Sequence, residues 1–365
     1  MEKMFLSPSR YVQGKDVTKT GLSHITELGK NALLLCDDTV WQIVGERFQN
    51  DLITAGEKVY HVPFNGEASL QEIERVSEIG RKEGTTVVIG LGGGKTIDAA
   101  KAIGDKLDIA VAIVPTVAST DAPTSALSVI YSEAGTFEKY LFYKKNPDLV
   151  LVDTQVIASA PVRLLASGIA DASATWVEGS AVIRAHGQTM SDASPTLAAE
   201  AIAKKCEETL FANGLQAIEA CRSHVVTPAL EAIIEANTLL SGIGFESCGL
   251  AAAHAIHNGF TALHGPIHTL THGEKVAYGT LTQLVLENQP QDRLNKFIHL
   301  YQKLGLPTTL VDMKLDQASR DDLVKVGQLA NQEGETIHQM AESFTAEDIA
   351  DALIAVDAYV KSLDA

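Results

Sequence analysis

The sequence predicts an α/β half built on a mostly parallel sheet, followed by an all-helical half. Three observations carry that expectation. Before residue 153, short runs that are apolar at successive positions alternate with stretches of helical periodicity, the pattern of strands covered by helices on both faces. After Val152 no strand pattern stands out, and Ala- and Leu-rich helical stretches take over. The chain has 365 residues, 45% of them hydrophobic, enough for about two domains and a large core. The texture breaks near Pro161, which divides the chain into an α/β domain over 1–160 and a helical domain over 161–365.

The elements follow in order. Asn31–Cys36 (N-A-L-L-L-C) reads as a buried strand, followed by Asp37, Asp38 and a helical pattern to about Ala55. Glu57–Val62 is a second strand. Leu70, Ile73, Val76 and Ile79 give Ser69–Glu83 the spacing of an amphipathic helix. Thr85–Gly90 is a third strand and runs into the cluster Gly92–Gly94; a helix is under way by Ile97, and Ile109–Pro115 is a fourth strand. Leu149–Val152 adds one more. Helices are then expected at Val162–Arg184, Pro195–Ala220, Pro228–Gly242, Gly249–Leu263, Val276–Glu287, Arg293–Leu304 and Ala346–Leu363.

Composition narrows the function classes. With 29 basic and 46 acidic residues the net charge is −17, which disfavours nucleic acid and anionic membrane surfaces as partners. The four cysteines, Cys36, Cys206, Cys221 and Cys248, form no C-x-x-C pair, ordinary usage for a reducing compartment. The opening M-E-K-M-F-L-S-P-S-R lacks the apolar stretch of a secretory signal. The longest apolar run, I-A-V-A-I-V-P-T-V-A from Ile109, reaches only about half of a membrane span and contains a proline. A soluble, cytoplasmic protein is expected.

The segment V-V-I-G-L-G-G-G-K-T-I-D-A-A-K runs strand, glycines, helix. Small residues let the backbone approach phosphate oxygens, and first-turn N–H groups with the helix dipole attract negative charge. Two familiar loops fail here. A Walker A loop ending at Gly94-Lys95-Thr96 needs glycine where Ile89 stands, and G-x-G-x-x-G from Gly90 needs glycine where Lys95 stands. A dinucleotide cradle remains, because three consecutive glycines carry a backbone entropy cost that a plain turn does not require. Asp37 follows the first strand, where its carboxylate either accepts hydrogen bonds from adenosine ribose hydroxyls or caps the next helix. Pro115–Ser125 (P-T-V-A-S-T-D-A-P-T-S) follows the fourth strand and is either a solvated loop or a third ligand-binding segment at the strand ends.

Five of the 11 histidines fall within one short stretch: His254, His257, His264, His268 and His272. Imidazoles suit zinc, and a carboxylate commonly completes such a set. His254 and His257 sit three apart on an apolar helix, and the intervening loop can fold His272 back toward them. Asp171 stands in the apolar helix L-L-A-S-G-I-A-D-A-S-A-T-W, where an unpaired carboxylate is expensive and a cation would satisfy it. H-E-x-x-H and G-x-S-x-G are both absent, which removes the arguments for a metalloprotease and for a serine hydrolase.

Taken together, G-G-G-K-T-I-D-A-A-K, P-T-V-A-S-T-D-A-P-T-S, G-I-A-D-A, A-A-A-H-A-I-H-N-G-F and T-H-G-E-K-V-A-Y-G resemble the glycerol-oxidising, zinc-dependent branch of the iron-containing (group III) alcohol dehydrogenases, over nearly the whole chain. The resemblance implies a dehydroquinate synthase-like fold: a Rossmann-like NAD-binding domain, a helical domain, and an active site in the cleft joining them. It implies one zinc ion per chain on Asp171, His254 and His272, with a fourth position open to water or a substrate hydroxyl. Contacts to NAD carry over to Asp37; to Gly94, Lys95, Thr96, Ile97 and Asp98 on the pyrophosphate; to Thr116, Val117, Ala118 and Ser119; and to Ser125, Leu127 and Tyr131. Asp121, with Asp171 and His254, falls at substrate and catalytic positions. Iron-using relatives place a histidine one turn after the ligand aspartate, where this chain has Thr175; the zinc branch fits better. His257 matches a position beside the metal that is not a ligand.

The implied reaction moves the C2 hydride of glycerol to NAD⁺, giving dihydroxyacetone, reversibly, with a water or ribose hydroxyl carrying the proton. The family forms rings, usually octamers, so a homo-oligomer is expected. Other small diols, lactaldehyde or a hydroxy acid are alternative substrates. A phosphorylated one is disfavoured, because Ala251–Leu263 offers no cationic side chain.

Overall fold

A computed structural model describes residues 2–363. The chain forms two compact units, and it does not part at a single point. One unit comprises Leu6–Pro161 and Ala220–Gly242; the other comprises the residues up to Phe5, Val162–Glu219 and everything from Ile243. Residues 220–242, expected with the helical half, therefore pack with the sheet.

The sheet has six strands, all parallel: β1 (Tyr11–Gly14), β2 (Asn31–Cys36), β3 (Lys58–Pro63), β4 (Val87–Gly92), β5 (Ala110–Pro115) and β8 (Leu149–Asp153), in spatial order β1-β8-β5-β4-β2-β3. Alternate residues explain the continuous apolar runs. Leu34, Val87, Ile89, Leu91, Val114 and Leu151 share one core with Phe48 and Leu52. The opposite face, through Leu33, Val88 and Val111, meets α1 (Leu70–Glu83) and α2 (Gly94–Leu107), so closely that Gly80 and Gly104 lie against it. Both faces being covered is what makes the central strands β4 and β5 apolar along their whole length.

The chain leaves β2 toward β3 on one side and returns to β4 on the other. In open α/β sheets ligands bind outside the strand ends at such a reversal. Three elements were not legible as strands. β1 is a short edge strand of partly buried residues. β6 (Leu127–Tyr131) and β7 (Phe137–Phe142) form a separate antiparallel hairpin with a register shift at Ile130/Tyr131, and β7 is too exposed to show a buried pattern.

The helical unit contains α3 (Val162–Ala185), α4 (Leu197–Arg222, whose last residues belong to the sheet unit), α5 (Ala252–Gly259), α6 (His272–Leu286), α7 (Gln291–Leu304), α8 (Arg320–Ala330) and α9 (Ala346–Leu363). α8 was not anticipated; it opens with a capping box between Ser319 and Asp322. The helix expected at Gly249–Leu263 is shorter, beginning at Ala252 and giving way to a 3₁₀ turn at Phe260–Ala262. The one expected at Pro228–Gly242 contains a π turn, Ala236–Leu240, and continues to Cys248. Among the described residues no single helix is long and apolar enough to cross a membrane.

Candidate functional site

Two glycines on α6 assemble the acid–imidazole cluster. A Cβ on Gly273 would lie 1.9 Å from the Ser167 carbonyl oxygen on α3, and one on Gly279 would lie 2.4 Å from that of Ala253 on α5. Only glycine permits both approaches, and they set α6 against the helices carrying Asp171 and His254. The first turn of α6 is fixed by a capping box between Thr271 and Glu274. Arg163 then clamps Glu274 through two 2.7 Å bonds and donates to the Thr269 carbonyl at 3.1 Å. His272 is the first residue of that anchored turn.

Asp171, His254 and His272 come together as a result, with one ligand atom from each within 4.8 Å of the others. Asp171 Oδ1 lies 3.1 Å from His272 Nε2 and 3.4 Å from His254 Nε2. The carboxylate is 1% exposed. Burial opposes its ionisation, but the His272 and His254 rings outweigh that and hold its pKa far below the usual carboxylate range. Burial likewise disfavours a charged His254, yet Glu178 and Asp171 raise its pKa well above the ordinary value. Two buried carboxylates thus draw positive charge onto the ring that separates them. One acid with two imidazoles, converging where positive charge is favoured, is a donor set that suits a divalent cation.

The other histidines divide plainly. His257 packs against His272 with ring centroids 4.2 Å apart; burial, with His272 and Lys275 nearby, pushes its pKa well down. His268 Nε2 lies 2.7 Å from the Leu263 carbonyl, and His264 is exposed. Neither joins the cluster.

In the sheet unit, Asp37, Gly94–Asp98 and Thr116–Ser119 follow the adjacent strands β2, β4 and β5, whereas Ser125 precedes the separate β6 strand and Leu127 and Tyr131 lie on it. Thr116 N donates to the Gly92 carbonyl at 3.0 Å, tying the loop after β5 to the loop after β4. α2 begins at Gly94 with Gly93 as its cap, a residue with no side chain to cap it. A Cβ on Gly93 or Gly94 would meet nothing nearer than 3.5 Å, and neither has a positive φ. The protein's own packing does not demand these two glycines, which leaves a cradle that suits a phosphate approaching the open helix terminus. Asp37 caps the helix after β2, its Oδ1 accepting from Val40 N at 2.8 Å.

Several side chains in this region already serve the protein. Asp98 pairs with Lys101 at 3.1 Å and accepts from Val129 N at 3.2 Å. Its carboxylate therefore holds the β6 strand, and burial raises its pKa against the pull of Lys101. Lys101 also donates to the Leu127 carbonyl, to the Ala122 carbonyl at 2.9 Å and to Ser125 Oγ at 3.3 Å. Lys95 pairs with Glu67 and lies 5.5 Å over the Tyr131 ring. In the π turn, Asn237 donates to the Ala118 carbonyl at 2.9 Å; just beyond it, Ser241 donates to Asp121 Oδ2 at 2.8 Å. These props explain why residues 220–242 pack with the sheet.

Sequence reasoning missed Lys101, Asn237, Ser241 and Glu178. Only Glu178 left a usable signal: it lies seven residues after Asp171 on the same apolar helix, hence on nearly the same face.

Comparison with known proteins gives this geometry its context. Residues 8–154 match the family described as iron-containing alcohol dehydrogenase. The chain is 47% identical to glycerol dehydrogenase of Citrobacter freundii, over 98% of both chains. It is equally 47% identical to glycolaldehyde reductase of Halobacterium salinarum, again over 98% of both. The crystal structure of glycerol dehydrogenase from Schizosaccharomyces pombe superposes with a TM-score of 0.96 at 44% identity, covering 99% of this chain and 92% of that one. With relatives this similar along the whole of its length, and with the sheet and helical unit that they share, this chain belongs to the iron-containing alcohol dehydrogenase family.

Proposed function

We propose that the chain is an NAD-dependent, zinc-assisted oxidoreductase that interconverts glycerol and dihydroxyacetone. The oxidation balances as glycerol plus NAD⁺ giving dihydroxyacetone, NADH and a proton. The observation that carries the proposal is the buried Asp171–His254–His272 set, in a chain with several glycerol dehydrogenases among its relatives. When bound, the divalent cation acidifies an alcohol hydroxyl and the nicotinamide accepts a hydride from the carbinol carbon.

The chain's residues do the rest. Asp171, His254 and His272 hold one cation and leave room for a substrate oxygen. Thr175, where iron-using relatives carry a histidine, supports zinc over iron. Asp121, its carboxylate oriented by the Ser241 hydroxyl, holds a second hydroxyl of the polyol. Gly93, Gly94 and the first turn of α2, with Lys95, Thr96, Ile97 and Asp98, present backbone N–H groups to the pyrophosphate. Asp37 accepts from the adenosine ribose, and Thr116–Ser119, Ser125, Leu127 and Tyr131 line the remainder of the dinucleotide. A homo-octamer and a cytoplasmic location complete the proposal. Four buried cysteine thiols, none in a disulfide, support a reducing compartment.

The glycolaldehyde reductase relative favours a second reading, aldehyde reduction as the main activity. One experiment separates them: kcat/KM for glycerol, dihydroxyacetone and glycolaldehyde with NAD(H) and NADP(H), before and after chelation. The proposal expects glycerol and dihydroxyacetone to lead with NAD(H), activity to vanish on chelation, and zinc to restore it. Chelator-insensitive turnover would reject the metal's role, and a dominant glycolaldehyde activity would reject the substrate.

A further inference from the structure

We infer that Glu178 is a positioning residue for the metal centre, selecting the nitrogen with which His254 binds its ion. The inference rests on reading Asp171, His254 and His272 as ligands. Glu178 is fully buried on α3, two turns after Asp171. Its Oε1 accepts from Ala251 N at 2.8 Å and from His254 N at 3.0 Å, the first N–H groups of α5. Ala251, the cap of that helix, has no side-chain acceptor of its own, so Glu178 caps α5 from another helix. Its second oxygen does something a cap does not need: Oε2 lies 2.6 Å from His254 Nδ1. An ionised carboxylate only accepts. Nδ1 therefore keeps its proton when the ring gives up the other one to bind a cation, and the lone pair so freed falls on Nε2, the nitrogen 3.4 Å from Asp171. One carboxylate sets the start of the helix, the plane of the ring and its tautomer. A metal-ligating histidine whose other nitrogen is anchored in this way gains both orientation and basicity.

Glu178→Gln tests the selection directly, because the amide is nearly the same size. If its carbonyl keeps the two backbone N–H groups, its NH₂ faces Nδ1, which must then accept. The ring proton moves to Nε2 and blocks the ligand. The variant should lose zinc affinity by about 10–100-fold, measured on metal-free protein by competition with a chromogenic chelator. The absorption of the cobalt-substituted protein should change with it. Glu178→Ala should lose at least as much affinity, and also thermal stability through the lost cap. A wild-type zinc constant retained in Glu178→Gln would overturn the inference and leave Glu178 as a helix cap alone. If neither variant folds, a crystal structure of the zinc-loaded wild-type enzyme decides. Ligation through Nε2 with Nδ1 on Glu178 supports the inference, and ligation through Nδ1 refutes it. A wild-type protein that binds no zinc, or an Asp171→Ala variant that binds it as tightly, would instead overturn the metal site itself.

Discussion

In the helical unit the site is made of side chains, and the fold is arranged to bring them together. Gly273 and Gly279 let α6 approach α3 and α5 closely; the Arg163–Glu274 clamp fixes the turn that bears His272; Glu178 holds the far side of His254. In the sheet unit the relation is inverted. The polar side chains near the strand ends hold loops to one another, as Lys101 and Asp98 hold the β6 strand. What remains for a ligand is largely backbone: the open terminus of α2 and the space that Gly93 and Gly94 leave. A cation needs donor atoms of a given type at a given distance, and the Asp171–His254–His272 group of the helical unit is of a kind that could supply them. A phosphate needs N–H groups that every residue has, so the sheet unit commits shape.

The sharpest test of that difference removes one donor. His272→Ala should abolish stoichiometric zinc and lower kcat/KM by roughly a thousandfold or more, the several kcal/mol that a Lewis acid supplies. Metal analysis and steady-state rates on the same sample check it; activity within tenfold of wild type on metal-free protein would break the comparison. In the sheet unit the largest loss should come from a residue that touches no ligand. Lys101→Met strands the buried Asp98 carboxylate, at a cost of about 3–5 kcal/mol in folding stability. Denaturant melts should show that loss, and the Lys101→Met, Asp98→Leu double variant should recover much of it. A single variant as stable as wild type would mean that the pair does not hold the hairpin.

The same contrast sets what could be read before the structure. The histidine cluster and Asp171 were legible because side-chain sites leave a compositional trace: five histidines crowded together and one acid on an apolar helix. The strand ends were legible from apolar runs, which a doubly covered parallel sheet forces, and from the glycine cluster, whose Gly93 and Gly94 the packing of the sheet does not demand. The hairpin was not, because β7 buries little and its register shifts. Nor was the packing of residues 220–242 with the sheet. Its cause is a set of contacts between Asn237 or Ser241 and a loop more than a hundred residues earlier, and no local periodicity records a partner at that separation. Glu178 left only its spacing, seven residues after Asp171 on the same apolar helix, and its partners at the start of α5 lie more than seventy residues away.

Two alanines weigh shape against packing. Gly273→Ala forces a methyl into the Ser167 carbonyl and should lower stability by about 1–3 kcal/mol, with zinc affinity falling as His272 shifts. Gly93→Ala meets only an ordinary contact, so its melting temperature without cofactor should match wild type. The methyl would instead occupy the phosphate cradle and raise the dissociation constant for NAD by about tenfold, roughly 1.4 kcal/mol. Calorimetry with and without NAD separates the two effects. Equal cofactor affinity in Gly93→Ala would remove the cradle from the account.

Asp37 is where the two kinds of site meet, because its side chain already has a structural task. Oδ1 caps the helix after β2 through Val40 N, a bond whose loss typically costs about 0.5–2 kcal/mol. Replacement by alanine would therefore confuse the cap with any ribose contact. Asp37→Asn separates them: the amide oxygen still accepts from Val40 N, while the negative charge that would grip ribose hydroxyls and repel a 2′-phosphate is gone. The variant should melt with wild type, its KM for NAD should rise about three- to tenfold, and its preference for NAD over NADP should shrink. Stopped-flow or steady-state titration with both cofactors reads the change. If Asp37→Asn binds both as wild type does while Asp37→Ala melts lower, the carboxylate is a helix cap only, and the sheet unit recognises its ligand through backbone alone.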